Sequence, residues 1–143
     1  MKKSGLLALV LILLTGCVEK NEYYNVYDFQ KNYTVKANDW VEASDEDFGV
    51  YFYCQIKEPA LTYDVFNYGI MTAYMYYVQP QSRVTELYLL PFDDYFVDSY
   101  GYRWSEQVSC SFSPGYITFI LKYDEQTHFK PSLNYEFQVR FLW

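Results

Sequence analysis

The chain has 143 residues, enough for one domain with its own hydrophobic core, and carries 11 basic against 18 acidic side chains for a net charge of −7. Two of the bases, Lys2 and Lys3, stand at the N-terminus, so the remainder is more acidic still. Such a surface repels phosphate backbones; it excludes nucleic acid as a partner and gives no electrostatic attraction to anionic lipid.

Lys2 and Lys3 precede an apolar run from Leu6 to Leu14, which Thr15, Gly16 and Cys17 close. A cationic start, a short apolar segment and small residues before a cut site describe an export signal. The run is too short to span a bilayer as a helix. With Cys17 directly after Leu14-Thr15-Gly16, the segment resembles a bacterial lipoprotein signal with a complete lipobox. That resemblance implies removal of residues 1–16 and acylation of Cys17, with palmitate among the chains. Residues 17–22 then form the acylated Cys and a short polar tether, and residues 23–143 form the folded domain. Five extended residues after Cys17 reach no more than about 18 Å, so the domain rides close to its membrane.

Aromatic residues make up 22% of the chain, with 18 Tyr and 11 Phe, a composition that favours pleated surfaces over helices. Tyr23 to Gln30 is expected as a first strand and Tyr33 to Lys36 as a short second one. Trp40 is expected in the core. Ser44 to Asp47 reads as a solvated hairpin tip, since adjacent acids lack the alternating ligand pattern of a calcium loop. Phe48 to Lys57 alternates, with Phe48, Val50, Phe52, Cys54 and Ile56 on one face. Thr62 to Tyr68 is the helical candidate: Thr62 can cap it, Asp64 suits its first turn and Gly69 can end it.

Ile70 to Gln79 is apolar on both faces, as a central strand should be. Pro80 to Arg83 is a turn, and Val84 to Leu90 pairs back. Pro91 to Tyr102 reads as irregular. Arg103 to Phe112 is a strand with Trp104, Val108, Cys110 and Phe112 inward, interrupted by Glu106. Ser113-Pro114-Gly115 has Pro and Gly where a type II turn wants them. Tyr116 to Tyr123 returns, Asp124 to Leu133 is a polar loop, and Asn134 to Trp143 is the last strand. The expected fold is all-β: an antiparallel two-sheet sandwich of immunoglobulin-like size with one short helix, a closed barrel being the alternative. Cys54 and Cys110 both fall on inward positions; a bridge between sheets and two separate thiols are both open.

Pro59-Ala60-Leu61-Thr62 with Asp64-Val65, Asn67 and Gly69 forms one distinctive pattern. Leu90-Pro91-Phe92, Ser111 to Gly115 with Ile117-Thr118-Phe119, and Tyr135, Phe137 and Val139 form the others. Together they resemble a group of short, uncharacterised Bacteroides-type lipoproteins, over roughly Thr34 to the end. The resemblance implies a small β-sandwich anchored at the outer membrane, without deciding between its periplasmic and cell-surface sides, and brings no catalytic residues.

The only histidine, His128, lies in a polar loop without a nucleophile motif, so triad catalysis is not expected. One His and two strand-embedded Cys do not make a zinc site, and no metal or cofactor is expected. Asp93, Asp94, Asp98 and Glu106 supply acids enough for a glycosidase pair, but nothing in their spacing brings two to one cleft. The expectation is a non-catalytic binding module of the cell envelope. Its candidate ligand residues are Tyr95, Phe96, Tyr100 and Tyr102, which can stack on sugar rings, and Asp93, Asp94 and Asp98, which accept hydroxyl hydrogen bonds. Tyr51 and Tyr53 offer a flatter platform. The competing expectation is a structural or adhesive subunit that pairs with an envelope protein through a strand edge.

Overall fold

A computed structural model of the protein describes residues 26–78, 83–124 and 130–143. Cys17 with its leader and tether, the turn residues 80–82, and His128 lie outside the described residues. The elements are β1 (Asp28–Val35), a 3-10 turn (Ala37–Asp39), β2 (Val41–Asp45), β3 (Gly49–Lys57), α1 (Tyr63–Tyr68), β4 (Ile70–Val78), β5 (Thr85–Leu89), β6 (Phe92–Val97), β7 (Arg103–Ser113), β8 (Tyr116–Tyr123) and β9 (Tyr135–Leu142). They form two antiparallel sheets, ordered β1-β9-β4-β5 and β2-β3-β8-β7-β6. This is the two-sheet sandwich with one short helix that the alternation predicts.

Period-two patterning decides what each strand buries. From β9, Phe137, Val139 and Phe141 are fully buried; from β8, Ile117, Phe119 and Leu121 are. These two strands sit at or next to the middle of their sheets, and Phe119 stacks on Phe137 with ring centroids 3.9 Å apart and planes 11° apart. Burying each such ring is worth roughly 1.5–3 kcal/mol. Trp40 is core, 8% exposed and set edge-on against Tyr135 at 5.6 Å.

Helix α1 forms as expected, because the Thr62 hydroxyl accepts from the Val65 amide and Leu61 and Val65 plug one end of the sandwich. Gly69 ends it for a reason other than a left-handed cap. Its φ is −88°, but a Cβ there would stand 2.5 Å from the Val65 carbonyl oxygen and 3.0 Å from that of Leu142. Gly115 does take the left-handed conformation, at φ 81°, and closes the β7–β8 hairpin after Pro114.

Three local expectations are corrected, and one left open is decided. The two short strands expected from Tyr23 to Lys36 are one strand, β1, whose inward positions include Lys31. Its side chain stays half exposed while its amine reaches the buried Glu58, a use of lysine that breaks the apolar pattern. Phe48 and Val50 are 64% and 40% exposed, because the β2–β3 hairpin extends beyond the pairing of β3 with β8, which begins at Phe52. The segment from Pro91 to Tyr102 is not irregular: Phe92–Val97 is the edge strand β6, entered through a cis Leu90-Pro91 bond and paired along its length with β7. Finally, Cys54 and Cys110 are free thiols. Both lie in one sheet, in register with Phe119 on either side of β8, so their Cα atoms are about 9–10 Å apart, beyond disulfide reach.

Candidate functional site

The two ends of the sandwich differ in chemistry. At the α1 end, the connection after β3 brings Glu58 inside, 3% exposed. Its carboxylate accepts from Lys31 Nζ at 2.8 Å, from the Tyr33 hydroxyl at 2.6 Å and from the Ala60 amide at 3.1 Å. Its own amide donates to the Gly115 carbonyl. Burial pushes the Glu58 carboxyl up, but these bonds outweigh it and hold the group below its ordinary value. All the polar capacity there is used in joining β1, the β3–α1 connection and the β7–β8 turn; this end is structural.

The opposite end is open. Between β4 and β9 on one side and β6 and β7 on the other lies a cleft of about 340 Å³. Its walls are aromatic, with Tyr77, Phe92, Phe96 and Tyr135, and two acids, Asp94 and Glu106, face into it. A second hollow of about 310 Å³ adjoins it, sharing Phe96, Glu106 and Tyr135 and adding Trp104 and Lys130. Phe96 stacks on Trp104 at 5.4 Å, and Tyr102 stacks on Trp104 at 6.4 Å, so an aromatic ladder leads to the mouth.

Strand register places the acids. Asp94 on β6 stands directly opposite Glu106 on β7. Like charges facing each other across an antiparallel pair are destabilising. Glu106 accepts from the Tyr135 hydroxyl at 2.8 Å, a bond that crosses from one sheet to the other. Burial pushes the Glu106 carboxyl up and the Asp94 charge adds to this, beyond what the bonds from Tyr135 and Tyr123 recover. Burial and the Glu106 charge in turn push Tyr123 up to about 12 and raise Tyr135 as well. Asp94 Oδ1 accepts from the Tyr95 amide at 2.8 Å, whereas Oδ2 is buried with no partner at hydrogen-bonding geometry. Hydrogen bonding of its hydroxyl toward that carboxylate, together with burial, pushes the Tyr77 phenol up to about 12. Among the described residues no basic side chain forms an ion pair with either acid.

The seven residues singled out in sequence are divided by the pleat of β6. Asp94 and Phe96 line the cleft, and Tyr102 reaches its mouth through Trp104. Asp93 and Tyr95 point to the outer face, where Tyr95 is 78% exposed. Asp98 shapes the β6–β7 turn, its carboxylate accepting from the amides of Tyr100 and Tyr102. Tyr100 is 95% exposed at that turn. Tyr51 and Tyr53 are neighbours on the outer face of β3, ring centroids 6.4 Å apart. The residues that sequence reading missed are Tyr77, Trp104 and Tyr135, each consistent with plain core positions. Glu106 carried a signal, as an acid at an inward position of β7.

Ser44 and Asp45 end β2, and Glu46 to Phe48 form the hairpin tip, where the Asp47 amide donates to the Asp45 carboxylate. Among the described residues no group of three His, Cys, Asp or Glu is arranged to hold a metal ion. Compared with known proteins, the chain matches no family model, no curated protein and no solved structure.

Proposed function

We propose that this protein is a lipid-anchored envelope module that binds a small carbohydrate, without transforming it, in the cleft between its sheets. The observation that carries this reading is the cleft itself: a concave, mostly apolar hollow of about 340 Å³, rich in aromatic rings, with a few convergent polar groups. Sugar rings stack on faces such as Phe96 and Trp104, and the carboxylates and phenols of the wall accept and donate hydroxyl hydrogen bonds. Binding is favoured over hydrolysis by where the acids stand. A glycosidase needs its two carboxyl groups flanking the scissile bond. Asp94 and Glu106 come from adjacent strands of one sheet and approach a ligand from the same side.

The anchor belongs to the same proposal. Cys17 is the acylated residue, the membrane is the outer membrane, and the acyl chains alone hold the protein there. The described chain starts beside the α1 end: Tyr27 pairs with Trp143, one residue beyond β9, while Tyr135 at the start of β9 lines the cleft. The length of β9, about 25 Å, therefore separates the start of the described chain from the cleft. The test is a glycan array probed with the full chain in detergent, together with fractionation of Cys17→Ser. Saturable binding to a defined glycan class, with the Cys17→Ser protein released from membranes, supports the reading. An array without binding refutes the carbohydrate, and a membrane-bound Cys17→Ser protein refutes the anchor.

A second reading rests on a separate observation. Leu87 and Leu89 on the edge strand β5 are 41% and 56% exposed, next to Val78 at 57% on β4. An apolar edge without lysine or proline invites strand pairing with a partner chain. Sizing the full chain at high and low concentration tests the self-pairing form; a monomer at both contradicts it.

A further inference from the structure

The cleft holds two acids that no described residue balances with an ion pair. Asp94 and Glu106 oppose each other on the inward face of the β6–β7 pair, half-buried and walled by aromatic rings. In such a setting the repulsion between two carboxylates is strong, because little water screens it. Glu58, at the other end, meets its lysine at 2.8 Å. Among the described residues Asp94 and Glu106 meet none; Lys130, which shares the second hollow with Glu106, forms no ion pair with it, and Asp94 Oδ2 has no partner at hydrogen-bonding geometry. The phenols of Tyr135 and Tyr77 supply dipoles on two sides and no positive charge.

We propose that the missing charge comes with the ligand: the cleft takes a molecule bearing an ammonium group, seated between Asp94 and Glu106. This rests on the carbohydrate reading above and narrows it to an amino sugar whose amine is free. An ammonium group has three donors, enough for Asp94 Oδ2, for Glu106 and for one further acceptor. The walls suit it as well. Phe92, Phe96, Tyr77 and Tyr135 present ring faces and edges around the acids, and a cation over a ring face is attracted by its quadrupole. A bare divalent cation fits worse. Calcium takes six to eight oxygen ligands, and the described residues bring no third acid to this pair. The volume leaves room for one or two sugar rings, with the second hollow continuing past Trp104.

The test compares three probes on the full chain in detergent near neutral pH: glucosamine, N-acetylglucosamine and glucose. They share a ring and differ in whether position two carries a charge. Binding is followed by calorimetry, and each titration is repeated with Asp94→Asn and Glu106→Gln. Both substitutions keep shape and remove charge, so thermal melting checks that the fold survives. The expected result is that glucosamine binds about tenfold to a hundredfold more tightly than the other two, the range of a charge-assisted hydrogen bond. That margin disappears in both variants while their melting temperatures hold or rise. If the three sugars bind alike, the ammonium inference falls and the carbohydrate reading stands. If glucosamine keeps its margin in both variants, the amine is recognised elsewhere and the inference is overturned. If no sugar binds, both fall.

Discussion

Phe119 and Phe137 lie face to face across the sandwich, ring centroids 3.9 Å apart and both fully buried. One belongs to the middle strand of the five-stranded sheet and the other to an inner strand of the four-stranded sheet, so their contact registers one sheet on the other. Phe137→Ala should cost roughly 3–5 kcal/mol, the range for emptying a buried aromatic site. Phe137→Leu should cost less, because it leaves a smaller void. Chemical denaturation of both variants measures the difference, and equal losses would mean that shape at this stack does not matter.

Glu58 makes stability sensitive to acid. Its folded carboxyl lies below its ordinary value of 4.5. The stabilisation is therefore complete above that value and is lost as pH falls through the folded value. Tyr33→Phe removes one charged hydrogen bond and should cost roughly 1.5–3 kcal/mol at neutral pH. The cost should shrink once Glu58 is protonated in both states. Denaturation midpoints for wild type and variant, taken down to about pH 3, would show the two curves converging.

Glu106 works in the opposite direction. Its folded carboxyl lies above the ordinary value, so its contribution is present below that value and is lost as pH rises through the folded one. Glu106→Gln keeps an acceptor for the Tyr135 hydroxyl and removes the repulsion with Asp94. The variant should be more stable than wild type near neutral pH by on the order of 0.2–1 kcal/mol, the range for cross-strand pairs. The advantage should vanish in acid. A variant less stable than wild type near neutral pH would show that the Glu106 charge is compensated within the protein.

Two glycines should respond differently to alanine. At Gly69 the new Cβ meets two backbone carbonyl oxygens, one in α1 and one in β9, and neither is a flexible neighbour. Gly69→Ala should cost about 1–3 kcal/mol through forced displacement. At Gly115 there is open space but φ is 81°, so Gly115→Ala should cost about 1–2 kcal/mol through backbone strain alone. Amide exchange separates the two: Gly69→Ala should loosen the end of β9, and Gly115→Ala only the hairpin.

Much of this architecture was readable from residue order because alternation and turn chemistry agreed. The central part of β3, the cap of α1 at Thr62, the hairpin at Pro114-Gly115 and the inward face of β9 all follow from local rules. Two of the failures share one physical cause, a charged residue at an inward position. Lys31 splits the pattern of β1 because its partner, Glu58, is remote in sequence. Asp94 hides β6, since an inward acid makes sense only once Glu106 and the open cleft stand opposite it. The candidate site suffers likewise. Aromatics and acids near residue 95 were visible as a cluster, but the pleat sends alternate members to opposite faces. The facing wall, from Tyr77 and Tyr135, depends on tertiary contacts that no local spacing encodes.

Tyr95 and Phe96 are neighbours in sequence and lie on opposite faces of β6, which makes them the most direct probe of the central claim. The measurement is glycan binding by the full chain carrying Phe96→Ala or Tyr95→Ala, against wild type. The account predicts that Phe96→Ala loses binding by about tenfold or more, as for a stacking contact worth roughly 1–3 kcal/mol, and that Tyr95→Ala binds as wild type. Loss in Tyr95→Ala with Phe96→Ala unaffected would move the site to the outer face and contradict the cleft.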